Sequence, residues 1–542
     1  MAENQFIDAL GFRETTLSEN GATKLFTTGS ELVNQMATAA NYRGRSIDDV
    51  FKDQSALYDE DAEASMRFIF YLRMVTRQTR IHNGQVTESV QKGQGCKDES
   101  IKRLLWVAKN HNKLFVKNLW ILPFVGSWKD LWVLMFYDQK YELNCVDHNL
   151  VFALLMWGLG TDNVSDLVKK YMPSIKANSK CKTEWAKFTN DAAKEFAHFI
   201  GLNDYLKYNK VKSSGKAHEF QKLISTGRFD ELVWKSIPGR ALSLLVSGKF
   251  LENHDLVGGY MEWLSSQDTA KFTGYPFELA HKLHSFQPSK TTKLTCDLQF
   301  NHLLQQAKDG GKITENVLVA LDTSGSMDNA AAGIKNVTCS DIASSLAIFF
   351  SRLNDGFFKN LVMMFDDESY PHKMHGESFS DDLMNLPRVP CGGTNFQSVV
   401  DALKRIRTER PEIPLDEYPT TILCISDMEF NPAPLWSRRR GSDEDTNYEY
   451  SVASMKEVFP SDFVDSMKFI WWNVASRSKH AFEGTSDTNG CIMVSGFDGA
   501  LMTMLLGEDG AVIDEHGVKR NITSEEMAEK LLSQEVLNLI QM

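Results

Sequence analysis

Apolar positions along the first three hundred residues recur every three or four places, the period of an amphipathic helix. In DAEASMRFIFYLRMV (61–75), Met66, Phe68, Ile69, Leu72 and Val75 share one face, and acids fill the first turn. The same spacing predicts helices over 100–118, 128–137, 149–157, 184–199, 217–224, 240–251 and 258–264. Short turns such as 123–127 and 237–239 separate them. Many consecutive helices of about ten to twenty residues predict a HEAT-like helical-repeat array, irregular because no fixed sequence period recurs.

From about residue 312 the pattern changes. Short apolar runs rich in β-branched residues at 317–321, 361–365, 420–425, 467–474 and 491–494 predict buried strands, with helical stretches between them. Ile342, Leu346, Phe349 and Phe350 lie on one face of the first of these helices. Near the end, Thr523 and Glu526 form a capping box that opens a further helix. Strand and helix in alternation are the signature of a doubly wound, mostly parallel sheet. The expected architecture is therefore α followed by α/β. A helical-repeat domain over 1–311 precedes a Rossmann-like domain over 312–542, with the junction at KDGGK (308–312).

A chain of 542 residues is too long for one core, which agrees with two domains. Its charge sharpens the division. Residues 1–311 carry 39 basic against 35 acidic side chains, whereas 312–542 carry 20 against 36. The first part can meet a polyanion and the second would repel one. No apolar run reaches the roughly 18 residues a membrane span needs. The first residues, MAENQFIDALGF, lack a basic-then-apolar signal. Eight cysteines are scattered singly with no CxxC pair, which fits a reducing, cytoplasmic setting.

Candidate chemistry gathers at the predicted strand ends. VLVALDTSGSM (317–327) runs from a buried strand into a loop offering Asp322, Ser324 and Ser326, with Gly325 for the tight turn. CGGTNF places Thr394 in a glycine-rich turn before a helix, and TTILCISDMEF places Asp427 directly after a strand. Five oxygen donors from three loops suit Mg²⁺ or another hard divalent cation, and leave at least one coordination position open. No His or Cys stands near the loop of Asp322, Ser324 and Ser326, which argues against zinc.

DxSxS, then Thr, then Asp resembles the metal-ion-dependent adhesion site of von Willebrand factor A domains. The resemblance implies that Ser324, Ser326 and Thr394 ligate the metal, and that Asp322 and Asp427 bind it directly or through water. The whole layout resembles the Ro autoantigen family, in which a TROVE helical ring precedes such an A domain. The pieces that carry this likeness are ENGATKLFTTGSELV (19–33), FYLRMVTRQTR (70–80), LPFVGSWKDLW (122–132) and VSGFDGALMTML (494–505). The N-terminal pieces are closer to uncharacterised bacterial and phage relatives. The Ro resemblance implies RNA binding by the helical part and a protein partner for the A domain.

The residues themselves offer a basic surface for that RNA. Residues 160–225 hold twelve lysines against seven acids and no arginine, among them Lys169, Lys170, Lys176, Lys180, Lys182, Lys187, Lys207, Lys210, Lys212 and Lys216. Tyr205, Tyr208 and Phe220 are interleaved and could stack on bases. Arg73, Arg77 and Arg80 form a second candidate patch. A solvated helical face is the alternative reading of both.

Three functions stay open on these residues. The first is a non-enzymatic RNA-binding scaffold whose A domain takes a partner's Asp or Glu through Mg²⁺. The second is a metal-dependent adaptor, or a phage assembly or host-interaction protein, without RNA. The third is a metal-dependent nuclease, disfavoured because nuclease metals usually sit among several carboxylates whereas hydroxyls dominate here. The chain has no GxxxxGK[ST], HExxH or GxSxG string.

Overall fold

A computed structural model of the chain describes residues 14–542 except 75–76, 80–88, 92, 163, 216–218, 285–287, 310–314, 332–333, 335, 388–391, 434–444, 476–481, 498–510 and 514–518. Its strands are β1 (Thr15–Leu17), β2 (Thr23–Leu25), β3 (Arg77–Thr79), β4 (Ser89–Gln91), β5 (Val317–Asp322), β6 (Leu361–Phe365), β7 (Ser369–Lys373), β8 (Thr421–Ser426), β9 (Lys468–Asn473), β10 (Cys491–Ser495), β11 (Ala511–Ile513) and β12 (Lys519–Asn521).

β5 to β10 make one six-stranded sheet in the spatial order β10-β9-β8-β5-β6-β7. All its pairings are parallel except β6 with β7. Numbered within the sheet, the order is 3-2-1-4-5-6, the doubly wound arrangement whose direction reverses between the first and fourth strands. Those two strands, β5 and β8, are buried at every residue, as their unbroken apolar runs require. The reversal leaves a crevice outside their carboxyl ends, where open α/β sheets bind ligands.

The five expected strands all form, within about two residues of the expected ends. β7 escapes the periodicity because SYPHK is polar, half exposed and carries Pro371, which only an edge strand tolerates. The hairpins β1–β2 and β3–β4 also depart from the all-helical expectation for the first three hundred residues. Three-residue strands are too short for a period of two to register.

The chain packs as two compact units, and each is built from two stretches. One unit joins the stretch up to Gly44 to Pro238–Leu531, and the other joins Arg45–Ile237 to Leu532–Met542. The expected cut at 311/312 does not coincide with them. Helices Pro276–Leu283 and Lys290–Asp309 pack on helices Cys339–Leu353 and Phe379–Asn385 of the sheet unit. Phe300 stacks on Phe379 with ring centroids 4.0 Å apart and meets Phe349 edge-on. Asp297 accepts hydrogen bonds from the Ser380 amide at 2.7 Å and its hydroxyl at 2.9 Å. Burial, rather than position along the chain, assigns these helices to the sheet.

In the helical unit, consecutive helices contact one another, from Ile47–Glu60 through Ala62–Arg73, Lys97–Asn110 and Trp128–Lys140. The run expected over 100–118 breaks at His111, whose backbone leaves the helical region. Helix Glu184–Phe199 has the expected bounds. The chain end belongs here too: Asn118 exchanges hydrogen bonds with the Gln541 backbone, each at 2.8 Å. Among the described residues no helix is long and apolar enough to cross a membrane.

Candidate metal centre and basic surface

Asp322 is the last residue of β5, and Asp427 follows the last residue of β8. The pairing of Leu321 with Ile425 sets these ends side by side at the crevice. Asp322 is buried; its Oδ1 accepts the Ser324 amide at 2.9 Å and its Oδ2 the Ser426 hydroxyl at 2.5 Å. That first bond folds the loop back, and the Ser324 and Ser326 hydroxyls come to 3.1 Å of each other. Thr394, also buried, is carried by a loop stitched to the turn after β6. The Gly393 amide donates to Asp367 Oδ1 at 2.8 Å, and the Asn395 amide to the Asp366 carbonyl at 2.7 Å. The Thr394 carbonyl in turn accepts the Asn431 amide from the β8 side at 2.9 Å.

Two features show how tightly this edge is built. A Cβ on Gly393 would lie 2.5 Å from Asn431 Nδ2 and 2.7 Å from Asp367 Oδ1, so a larger residue there must displace one of those side chains. Met428, beside Asp427, has φ 66°, a left-handed conformation costly for a side-chain-bearing residue. The Ser426 hydroxyl supports it by accepting the Met428 amide at 2.9 Å.

The electrostatics match a cation. Asp322 is pushed up to about 7, first by burial and then by the nearby Asp427 carboxylate, against hydrogen bonds from Ser426 and Ser324. Two buried carboxylates held together repel unless a positive charge is shared between them. The donors around them are all oxygen, with three hydroxyls among them, which fits Mg²⁺ or Ca²⁺ rather than a soft metal. Among the described residues no cluster of three or more His, Cys, Asp or Glu side chains is placed to hold a metal.

Two contributors, Ser426 and Asn20, escaped the sequence reading. Ser426 orients Asp322 from the end of β8, and nothing but its place in TILCIS signals it. Glu429 accepts the Glu19 amide at 2.5 Å, so it faces the β1–β2 turn. Asn20 donates to the Thr394 hydroxyl at 3.4 Å and to the Glu429 carbonyl at 2.6 Å. A separation of some four hundred residues left no local pattern to find.

The basic residues divide. Helix Ser165–Tyr171 touches helix Tyr205–Ser213, and Asn209 ties the intervening loop by exchanging hydrogen bonds with the Ile175 backbone at 3.0 and 2.9 Å. This brings Lys176 to Lys212, whose ammonium is lowered by burial and then by the charge of Lys176. Lys169 lies beside Gly215 in the same neighbourhood, and Lys170 sits 5.4 Å over the Tyr171 ring. Lys180, Lys182, Lys207 and Lys210 are exposed.

Lys187 departs from this group. It lines a cavity of about 650 Å³ with Glu184, Asp191 and Glu195, where acids outnumber it. Arg73 is also misplaced as a phosphate ligand: it is buried and bound to Asp130 at 2.6 Å. Tyr208 is buried as well and cannot stack on a base, whereas Tyr205 is exposed. Arg77 lies in β3, while Lys216 and Arg80 fall outside the described residues.

Comparison with known proteins gives two matches. No curated protein matches the chain. Residues 316–541 match the family model described as a domain of unknown function (DUF7788). Among solved structures, the chain is similar to the crystal structure of the Deinococcus radiodurans RO (RSR) protein, with a TM-score of 0.48 and 15% identity over 89% of this chain and 100% of that one.

Proposed function

We propose that the chain is a non-enzymatic scaffold with two binding surfaces. Asp322, Ser324, Ser326, Thr394 and Asp427 hold Mg²⁺ or another divalent cation, and the lysine-rich surface of the helical unit binds RNA. What carries the reading is the DxSxS loop at the crevice where the sheet reverses direction: Ser324 folds back on Asp322 with its hydroxyl 3.1 Å from that of Ser326, Asp427 follows the neighbouring strand, and Thr394 stands on a third loop bonded to the β8 side. A cation bound there would offer its remaining coordination position to an Asp or Glu of a protein partner. The protein's own share is to fix the donors, through Ser426 on Asp322 and the glycine-built loop under Thr394.

RNA binding rests on the approach of Lys176 to Lys212, with Lys169 beside Gly215 and Tyr205 exposed on helix Tyr205–Ser213. Like charges gathered in this way suit phosphates and give salt-dependent affinity. The burial of Arg73 and Tyr208, and the acids that surround Lys187, favour a second reading, an adaptor that uses the metal site without RNA.

The test takes the full chain, a mixed-sequence hairpin RNA followed by fluorescence anisotropy, and Mn²⁺ followed by its free-ion EPR signal. Wild type is expected to bind the RNA more tightly at low salt. Lys176→Glu with Lys212→Glu should weaken it and flatten the salt dependence by about one unit of slope per lysine lost. Asp322→Ala should weaken Mn²⁺ binding by more than about tenfold, at least the loss typical of an outer-shell partner. It should leave RNA affinity unchanged. No RNA binding at low salt leaves the adaptor reading standing alone. Mn²⁺ binding indifferent to Asp322→Ala and Thr394→Ala removes the metal centre.

A further inference from the structure

Asn118 is the last residue of helix Asn112–Asn118 in the helical unit, and it is wholly buried. A primary amide offers two hydrogens and an oxygen, and burial requires partners for them. Nδ2 donates once within its own helix, to the Leu114 carbonyl at 2.9 Å. The other two bonds leave the helix. Nδ2 donates to the Gln541 carbonyl at 2.8 Å, and Oδ1 accepts the Gln541 amide at 2.8 Å. A side-chain amide that engages both polar groups of one residue copies the exchange between paired β-strands. It reads backbone rather than side chain. Gln541 is accordingly exposed, and Ile540 before it is extended, with φ −68° and ψ 130°.

Two more contacts hold the same segment. Segment Leu537–Leu539 packs against helix Ala62–Arg73, and exposed Lys117 donates to the Met542 backbone oxygen at 2.9 Å. Val536 and Leu537 are buried, whereas the five residues after them are exposed or half-buried. Loss of the segment frees one donor and the acceptor of Asn118, and any extended chain that presents an N–H and a C=O restores both bonds. We propose that Asn118 is a peptide clamp, occupied in cis by residues 536–542, and that its further ligand is an extended apolar segment of a partner protein. Backbone bonds to Asn118 give such a ligand affinity, and side chains in the places of Val536 and Leu537 give it specificity. The chain's own segment is then an internal competitor, with an effective concentration of the order of millimolar for a short connection. The clamp needs neither the cation nor RNA.

The experiment takes the full chain and a fluorescein-labelled peptide with the sequence of residues 533–542, SQEVLNLIQM, followed by anisotropy. Leu537→Asp in the chain should release its own segment and bind the peptide more than about tenfold more tightly than wild type does. Adding Asn118→Ala to that variant should abolish the gain. The Gln541→Pro peptide, which lacks the N–H, should bind several-fold more weakly. Unchanged thermal unfolding curves check that the variants fold. Hydrogen exchange on wild type needs no variant. Unlabelled peptide at about ten millimolar, above the effective concentration of the internal segment, should speed exchange at residues 536–541 and leave the helices protected. Peptide binding equal in Leu537→Asp and wild type, or indifferent to Asn118→Ala, overturns the clamp. Exchange at 536–541 unmoved by the peptide overturns it as well.

Discussion

A charged side chain is an ambiguous symbol in a sequence, and Arg73 illustrates why. Beside Arg77 and Arg80 it reads as part of a basic patch. In the fold it lies at the buried end of helix Ala62–Arg73 and donates from Nε to Asp130 Oδ2 at 2.7 Å. Asp130 also accepts the Ser127 amide at 2.8 Å, so the pair caps helix Trp128–Lys140. Removing one partner of a buried pair leaves the other charge uncompensated, at a cost of about 3–5 kcal/mol. Arg73→Ala should lower the denaturant midpoint by a corresponding amount while leaving RNA affinity in the folded protein unchanged. A loss of RNA affinity at unchanged stability would restore Arg73 to the basic surface. By contrast, Asp322, Ser324 and Ser326 were legible from spacing alone, because their geometry is set within five residues of one another.

At the scale of elements, the central strands were readable because burial on both faces demands an unbroken apolar run. The edge strand β7 and the hairpin strands face no such demand. The loop bearing Thr394 lies between these cases: its glycines mark a turn, but not what crowds it. Gly393 sits between Asp367 and Asn431, and a methyl group there must push one of them away. Gly393→Ala should therefore displace Thr394 and weaken Mn²⁺ binding several-fold, with a smaller effect on the rest of the sheet. Equal Mn²⁺ affinity in this variant and wild type would mean that the loop adjusts and that Thr394's place is not set by Gly393. β1 and β2 owe their position to partners such as Phe482 and Glu483, far along the chain, and their own residues carry no trace of it.

For the whole molecule, the division of the chain was half legible. The change of period and of charge near residue 312 marks where the strands of the six-stranded sheet begin, and those strands do begin there. It does not mark where the compact units part. The sheet unit takes in the N-terminal stretch and the helices from Pro238 onward, and the helical unit takes back the last eleven residues. A fragment of residues 312–542 alone should accordingly be less stable than the same residues with 1–44 and 238–311 restored. It loses the Lys24 partner of Glu483, the hairpin bonded to Glu429 and Phe430 after β8, and the Phe300 contacts with Phe349 and Phe379. Equal thermal midpoints for the two would contradict this account of the units.

The sequence by itself determined what depends on neighbours along the chain: helix and strand periods, caps, the doubly wound alternation, and the oxygen donors of the DxSxS loop. Only the tertiary structure decided which basic residues are surface and which are buried pairs. It also decided which stretches complete each unit, and that a turn near the N-terminus lies on the rim of the candidate metal centre. The physical reason is range. Periodicity and capping are set over a few residues, whereas burial and hydrogen bonding across some four hundred residues depend on which faces the folded chain brings together.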